Sequence, residues 1–180
     1  GEFYINYKDL PAVFDVTVAY GALGDIVWVT STFRRIDNSK NIVNLDDPTR
    51  VRIKDLKASS YETSNYPYNA VDNNAATGFT NEGTDEWLII ELEEASDIKD
   101  IAIIWNNRHM RQAKFSIEVS ADGETYTELF NGMSEVITGD KTSFEMFNVK
   151  AENVKFIRLG LFGNTTNKKN TINEMYITKQ

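Results

Sequence analysis

The stretch Asn69-Ala-Val-Asp72-Asn-Asn-Ala-Ala-Thr77 collects groups that a hard cation prefers: a carboxylate, a dense run of backbone carbonyls and a hydroxyl. Calcium takes roughly six to eight oxygen ligands and accepts backbone carbonyls readily. A polar loop of this composition can curl its carbonyls inward while Asp72 supplies charge. Ile172-Asn-Glu174, near the far end of the chain, can return a second carboxylate to the same place when the last strand closes a β-sandwich. The spacing is not that of an EF-hand. Asn- and Asp-rich segments also serve as plain turn-forming loops, so the residues alone leave both readings open.

Other chemistry is sparsely represented. The chain has no cysteine, which excludes disulfides, thiolate metal sites and cysteine nucleophiles. Its single histidine, His109, has no serine in a nucleophile-elbow setting to serve. Glu93-Glu94 and Asp46-Asp47 are adjacent pairs whose side chains point apart in a strand or turn, so they do not flank a glycosidic bond. No glycine-rich phosphate loop occurs. Net charge is −8, and residues 1–50 and 51–180 are each net acidic, which argues against nucleic acid and against an anionic membrane as partners. Apolar residues make up 41% and aromatics 12% of the 180 residues, enough for a full core.

The elements that must hold these groups read as strands. Phe14–Tyr20 alternates apolar and polar residues. Ile26–Phe33 is β-branched and aromatic, and Gly21–Asp25 between them reads as a hairpin connection. Polar stretches at 37–41 and 46–49 mark the best linker. Beyond Val51 the expected strands are Trp87–Leu92, Ile101–Trp105, Phe115–Ser120, Tyr126–Phe130, Phe144–Val149, Val154–Phe162 and Ile172–Ile177, with a tight turn at Ala121-Asp-Gly123. Ile101–Trp105 is apolar throughout, as in a strand covered on both faces, and Trp105 is expected to close it into the core. Short strands with almost no helical periodicity predict an all-β, antiparallel sandwich.

From about Ala58 to Ile177 the order of motifs resembles a discoidin-type (coagulation factor 5/8 type C) domain, which in bacterial proteins is the family 32 carbohydrate-binding module. The pieces are Ala58-Ser-Ser60, Asn69–Phe79, Asp85-Glu-Trp-Leu-Ile-Ile-Glu-Leu92, Ile98-x-x-Ile101-x-Ile103, Phe115–Gly123 with Tyr126, Val154-Lys-Phe-Ile-Arg158-Leu and Ile172–Ile177. The resemblance implies an eight-stranded, jelly-roll-like β-sandwich of the galactose-binding-domain type with a buried structural calcium. Asp72 and Glu174 would ligate by carboxylate, Thr77 by hydroxyl and carbonyl, and Asn69, Asn74 and Asn173 by their carbonyls. The family often has Asp-Gly-Asn where this chain has Asp72-Asn73-Asn74; asparagine tolerates the left-handed geometry that such a turn needs.

In resembling modules the ligand lies in loops at one end of the sandwich. The Trp105–Arg111 loop has suitable chemistry, with Asn107, Arg108, His109 and Arg111 as candidate contacts. Two arginines this close can grip a carboxylate or bracket vicinal hydroxyls. Phe162 and Asn164 could contribute from a neighbouring loop, and Glu62 and Asn81 from two others. Galactose-binding members carry a histidine near the position of Thr80 or Asn81, which is missing here. Lys168-Lys169 could meet an anionic, uronic-acid polymer, or serve solubility alone.

The expected function is a non-catalytic module, at residues 51–180, that targets a secreted or cell-surface bacterial polysaccharide-degrading enzyme to its poly- or oligosaccharide. The alternative is a cell-surface adhesion or protein-interaction module of the same fold. Residues 1–50 form an extra N-terminal β-hairpin segment, either the end of a preceding domain or strands docked on the module with Trp28 or Phe33 buried. The chain is expected to be part of a larger multidomain protein.

Overall fold

The computed structural model describes residues 47–138 and 143–180 in full, and the strands Val16–Tyr20 and Val27–Ser31 in their backbone. Two compact units divide at Asp37/Asn38. In the first, β1 (Val16–Tyr20) and β2 (Val27–Ser31) form the antiparallel pair read from their alternation, with Val18 opposite Val29. The side chain of Trp28, and Phe33 altogether, lie outside the described residues.

The second unit is one seven-stranded antiparallel sheet folded into two layers. Its strands are β3 (Ile53–Ala58), β4 (Phe79–Glu82), β5 (Glu86–Trp105), β6 (Ala113–Ser120), β7 (Thr127–Met133), β8 (Glu145–Asn164) and β9 (Lys169–Lys179). They run β4-β9-β5-β8-β6-β7, with β3 added on β5. Here the structure differs from the sequence reading. Trp87–Leu92 and Ile101–Trp105 are halves of one 20-residue strand, as are Phe144–Val149 and Val154–Phe162 but for Phe144. The first half of β5 pairs with β3 and the second with β9, while β8 accompanies it throughout. Register shifts between Glu91 and Asp100 let both strands turn the corner from one layer to the other.

Alternation explains the core. Leu88, Ile90 and Leu92 of β5, Phe115 and Ile117 of β6, and Ile157, Leu159 and Leu161 of β8 are all fully buried. Ile101–Trp105 is buried along its whole length, as its unbroken apolar run requires. Trp105 lies in the core against Phe115, with ring centroids 4.5 Å apart, and Phe130 and Phe147 complete the cluster. At the β6–β7 turn, Asp122 Oδ1 accepts from the amides of Glu124 and Thr125, and Gly123 takes φ +81°. Among the described residues no helix is long and apolar enough to cross a membrane.

Candidate functional site

The Asn69–Thr77 loop begins with a 3₁₀ turn, Pro67–Val71, for which Pro67 sets the first φ. The Asn69 amide donates to the carbonyls of Ser64 (3.0 Å) and Gly78 (3.3 Å) and so clamps the loop across its base. Asn73 takes φ +57°, the left-handed conformation that asparagine tolerates. At Gly78 a Cβ would come within 3.1 Å of Ile172 O and 3.2 Å of Asn173 Oδ1, so the bare α-carbon is what lets the loop lie against β9.

Oxygens crowd the centre of this loop. Thr77 Oγ1 is 2.9 Å from both Asp72 Oδ1 and Asp72 Oδ2 and 2.8 Å from Asn74 O. A hydroxyl has one proton to donate, so only one of these approaches can be a full hydrogen bond. The Asn74 amide is shared between Glu174 Oε2 (2.8 Å) and Asp72 Oδ1 (3.1 Å). Glu174 is 3% exposed, so the last strand brings a second, buried carboxylate to the amide that Asp72 also accepts from. Arg50 lies alongside. Its Nη1 donates to Asn73 Oδ1 at 3.4 Å and its guanidinium sits 4.2 Å above the Tyr176 ring; burial lowers its pKa, and Tyr176 and Glu174 oppose that shift. Among the described residues no group of three or more His, Cys, Asp or Glu side chains is placed to hold a metal ion. The oxygens that do converge here are carboxylate, hydroxyl and carbonyl, donor types that suit a hard cation and not zinc.

A second cluster is built where the β3–β4, β5–β6 and β8–β9 loops meet. The β3–β4 loop is fixed to β4 by Glu62 N–H donating to Thr80 O (2.8 Å) and Thr80 N–H donating to Asn65 O (3.2 Å). It presents Tyr61 (54% exposed) and Tyr66 (48%), with ring centroids 5.5 Å apart and planes at 58°. Beside them Lys169 Nζ donates to Glu62 Oε1 at 2.7 Å. Glu62 raises the pKa of Lys169 above its ordinary value; Glu82 adds to this and Arg111 opposes it, which places the Arg111 charge within electrostatic reach of Lys169. Arg111 is half-buried, its Nη2 donating to Asn106 Oδ1 (2.9 Å). The β8–β9 loop joins at Gln112, whose carbonyl accepts from Thr165 N–H (3.0 Å) and whose amide donates to Thr165 Oγ1 (3.1 Å).

The structure thus brings Glu62 and Arg111 to one surface, with Asn107 exposed at the tip of its turn, where its carbonyl accepts from the amides of Met110 and Arg111. Other expected contacts face elsewhere. Arg108 is 5% exposed and turned inward, where Nη1 donates to Ser143 O (3.3 Å) and lies 3.7 Å from Glu145 Oε2. Asn81 is 1% exposed, because β4 directs it at Asn170, whose Nδ2 it accepts at 3.0 Å. Asn164 is buried and spends its amide on shaping its own loop, accepting from Thr166 and Asn167 N–H and donating to Asn167 Oδ1 and Lys169 O. Phe162 lies within β8, not in a loop, and its ring reaches back to Gly160, where a Cβ would come within 2.9 Å of Cζ. His109 is half-buried and its Nδ1 has no hydrogen-bond partner.

Tyr61 and Tyr66 escaped the sequence reading. Their signal was there: Tyr61, Tyr66 and Tyr68 fall in a polar segment with no strand alternation, where an aromatic ring has no core to enter.

The sequence model of the F5/8 type C domain matches residues 55–175. Among solved structures, the family 32 carbohydrate-binding module of AlyQ, in complex with 4,5-unsaturated mannuronic acid, is 28% identical with a TM-score of 0.66, over 71% of this chain and 96% of that one. A pectin-binding carbohydrate-binding module gives the same identity and TM-score over 71% of this chain and 91% of its own. A truncated AlyQ with its family 32 module and alginate lyase domains matches at 27% identity and a TM-score of 0.66, over 73% of this chain and 34% of that one. No curated protein matches the chain.

Proposed function

Since the chain belongs to the F5/8 type C domain family, we propose that it is a non-catalytic carbohydrate-binding module that carries a secreted bacterial polysaccharide-degrading enzyme to an acidic, uronate-containing glycan. The observation that carries this reading is the pair of exposed rings, Tyr61 and Tyr66, standing beside the Lys169–Glu62 ion pair and Arg111. A tyrosine ring offers a flat apolar face to the C–H side of a sugar, and the two cations offer donors to its carboxylate. Solved modules at 28% identity, one in complex with an unsaturated mannuronic acid and one pectin-binding, support the same class of ligand. The solved AlyQ with an alginate lyase domain supports the targeting role.

Calcium at Asp72, Thr77, Asn74 and Glu174, with the carbonyls of Asn69 and Asn173, belongs to the same proposal. The oxygens crowded around Thr77 Oγ1 and the buried carboxylate of Glu174 are donors of the kind such an ion takes. The ion would stabilise the fold, while recognition belongs to the tyrosine end. A shallow single site gives modest affinity, which a polymer and neighbouring modules raise by multivalency.

Titration calorimetry with oligomannuronate and oligogalacturonate tests the proposal. Tyr61→Ala should weaken binding by about tenfold, equivalent to ~1.4 kcal/mol. Unchanged affinity would move the site away from this loop.

A further inference from the structure

The loop at Asp72–Thr77 and the Arg111 side chain are joined by three hydrogen bonds in series. Asn173 Nδ2 donates to Ala75 O (3.2 Å), Asn106 Nδ2 donates to Asn173 Oδ1 (3.2 Å), and Arg111 Nη2 donates to Asn106 Oδ1 (2.9 Å). The direction of the chain is fixed at both ends. A backbone carbonyl only accepts and a guanidinium only donates, so neither asparagine amide can be turned over without losing a bond. Asn106 holds the arginine twice, because its own carbonyl also accepts from Arg111 Nε at 3.4 Å. Asn106 is in turn anchored by its amide to Thr171 O (3.1 Å), and Asn173 meets the loop at Gly78.

A free arginine side chain samples many rotamers, and fixing it costs about 2 kcal/mol of entropy. Donors held in place before the ligand arrives avoid part of that loss. We infer that Asn106 and Asn173 are positioning residues that orient Arg111 from the Asp72–Thr77 loop, so that the shape of this loop sets how ready the ligand site is. This inference rests on the proposal that Arg111 contacts an acidic sugar.

Two measurements on Asn173→Ala separate the inference from that proposal. In the ligand-free protein, NMR of the Arg111 Nη–H groups should show slow solvent exchange and restricted rotation in the wild type and a loss of both in the variant. With oligouronate, Asn173→Ala should lower affinity about fivefold, the size expected for one hydrogen bond, and should lower it no further on an Arg111→Ala background. An unchanged Arg111 signal, or losses that add fully in the double variant, would overturn the inference. If the arginine loosens as expected while the wild type binds no acidic sugar, the positioning chain stands and the ligand proposal falls. Should Asn173→Ala fail to fold, Asn106→Ala cuts the chain one link later and carries the same test.

Discussion

Arg108 and Arg111 stand three residues apart in one loop and have opposite fates. Arg111 reaches the surface where the loops meet, whereas Arg108 turns inward to Glu145. Nothing local distinguishes them, because the partner that draws Arg108 inside arrives on β8, 37 residues away in sequence. That Asp72, Asn74, Thr77 and Glu174 come together was easier to read, because a carboxylate-to-hydroxyl loop is a local pattern and strand closure delivers the rest. The buried pair makes its own predictions. Arg108→Ala should destabilise the module by about 3–5 kcal/mol, read from urea unfolding, because it leaves the Glu145 charge buried without its partner. Burial raises the pKa of Glu145 above its ordinary 4.5, with the Glu135 amide and Arg108 holding it down only in part. The folded protein therefore binds this proton more tightly than the unfolded chain does. The contribution of Glu145 to stability is greatest below the ordinary value and declines as pH rises toward the raised one. The stability of wild type relative to Glu145→Gln should accordingly fall as pH is raised from about 4.5 toward neutrality.

At the scale of elements, the strands were legible and their continuity was not. Leu88, Ile90 and Leu92 announce one buried face and Ile101–Trp105 a strand covered on both sides. The intervening Glu93-Glu94-Ala-Ser-Asp97 falls between the two expected strands, yet the backbone stays extended through it, with Ser96 opposite Val154 between register shifts as it turns between layers. β3 and β4 were both missed: β4 because Asn81 and Glu82 are weak strand formers that pair with β9 through tertiary context, and β3 because the charged Lys54, Asp55 and Lys57 break its apolar run and it pairs with β5 alone. The β8–β9 connection depends on one backbone conformation. Gly163 takes φ +81°, and a Cβ there would lie 2.9 Å from Asn167 O and 3.0 Å from the Lys168 Cα. Gly163→Ala should cost about 1–2 kcal/mol, and because Lys169 follows directly, oligouronate affinity should fall with it. A variant of wild-type stability and affinity would show that this loop adapts freely.

For the whole module, the proposed cation loop and the proposed ligand surface are linked through β9, which carries Lys169 at the surface and Glu174 at the loop. A cation bound only by the folded state adds stability by mass action, about 2.7 kcal/mol at a hundredfold excess over Kd. EDTA should lower the melting temperature and calcium should restore it, whereas Asp72→Ala should abolish the response. Net charge of −8 opposes an acidic polymer at long range, so the proposed uronate binding rests on the local charges of Arg111 and Lys169. The most direct test of this account is an NMR titration of the calcium-loaded protein with oligomannuronate or oligogalacturonate, set against a neutral oligosaccharide of equal length. Saturable shifts centred on Tyr61, Glu62, Arg111 and Lys169 with the acidic ligand, and weaker ones with the neutral ligand, are the predicted result. No binding to either acidic oligosaccharide, or shifts confined to another face of the sandwich, would contradict it.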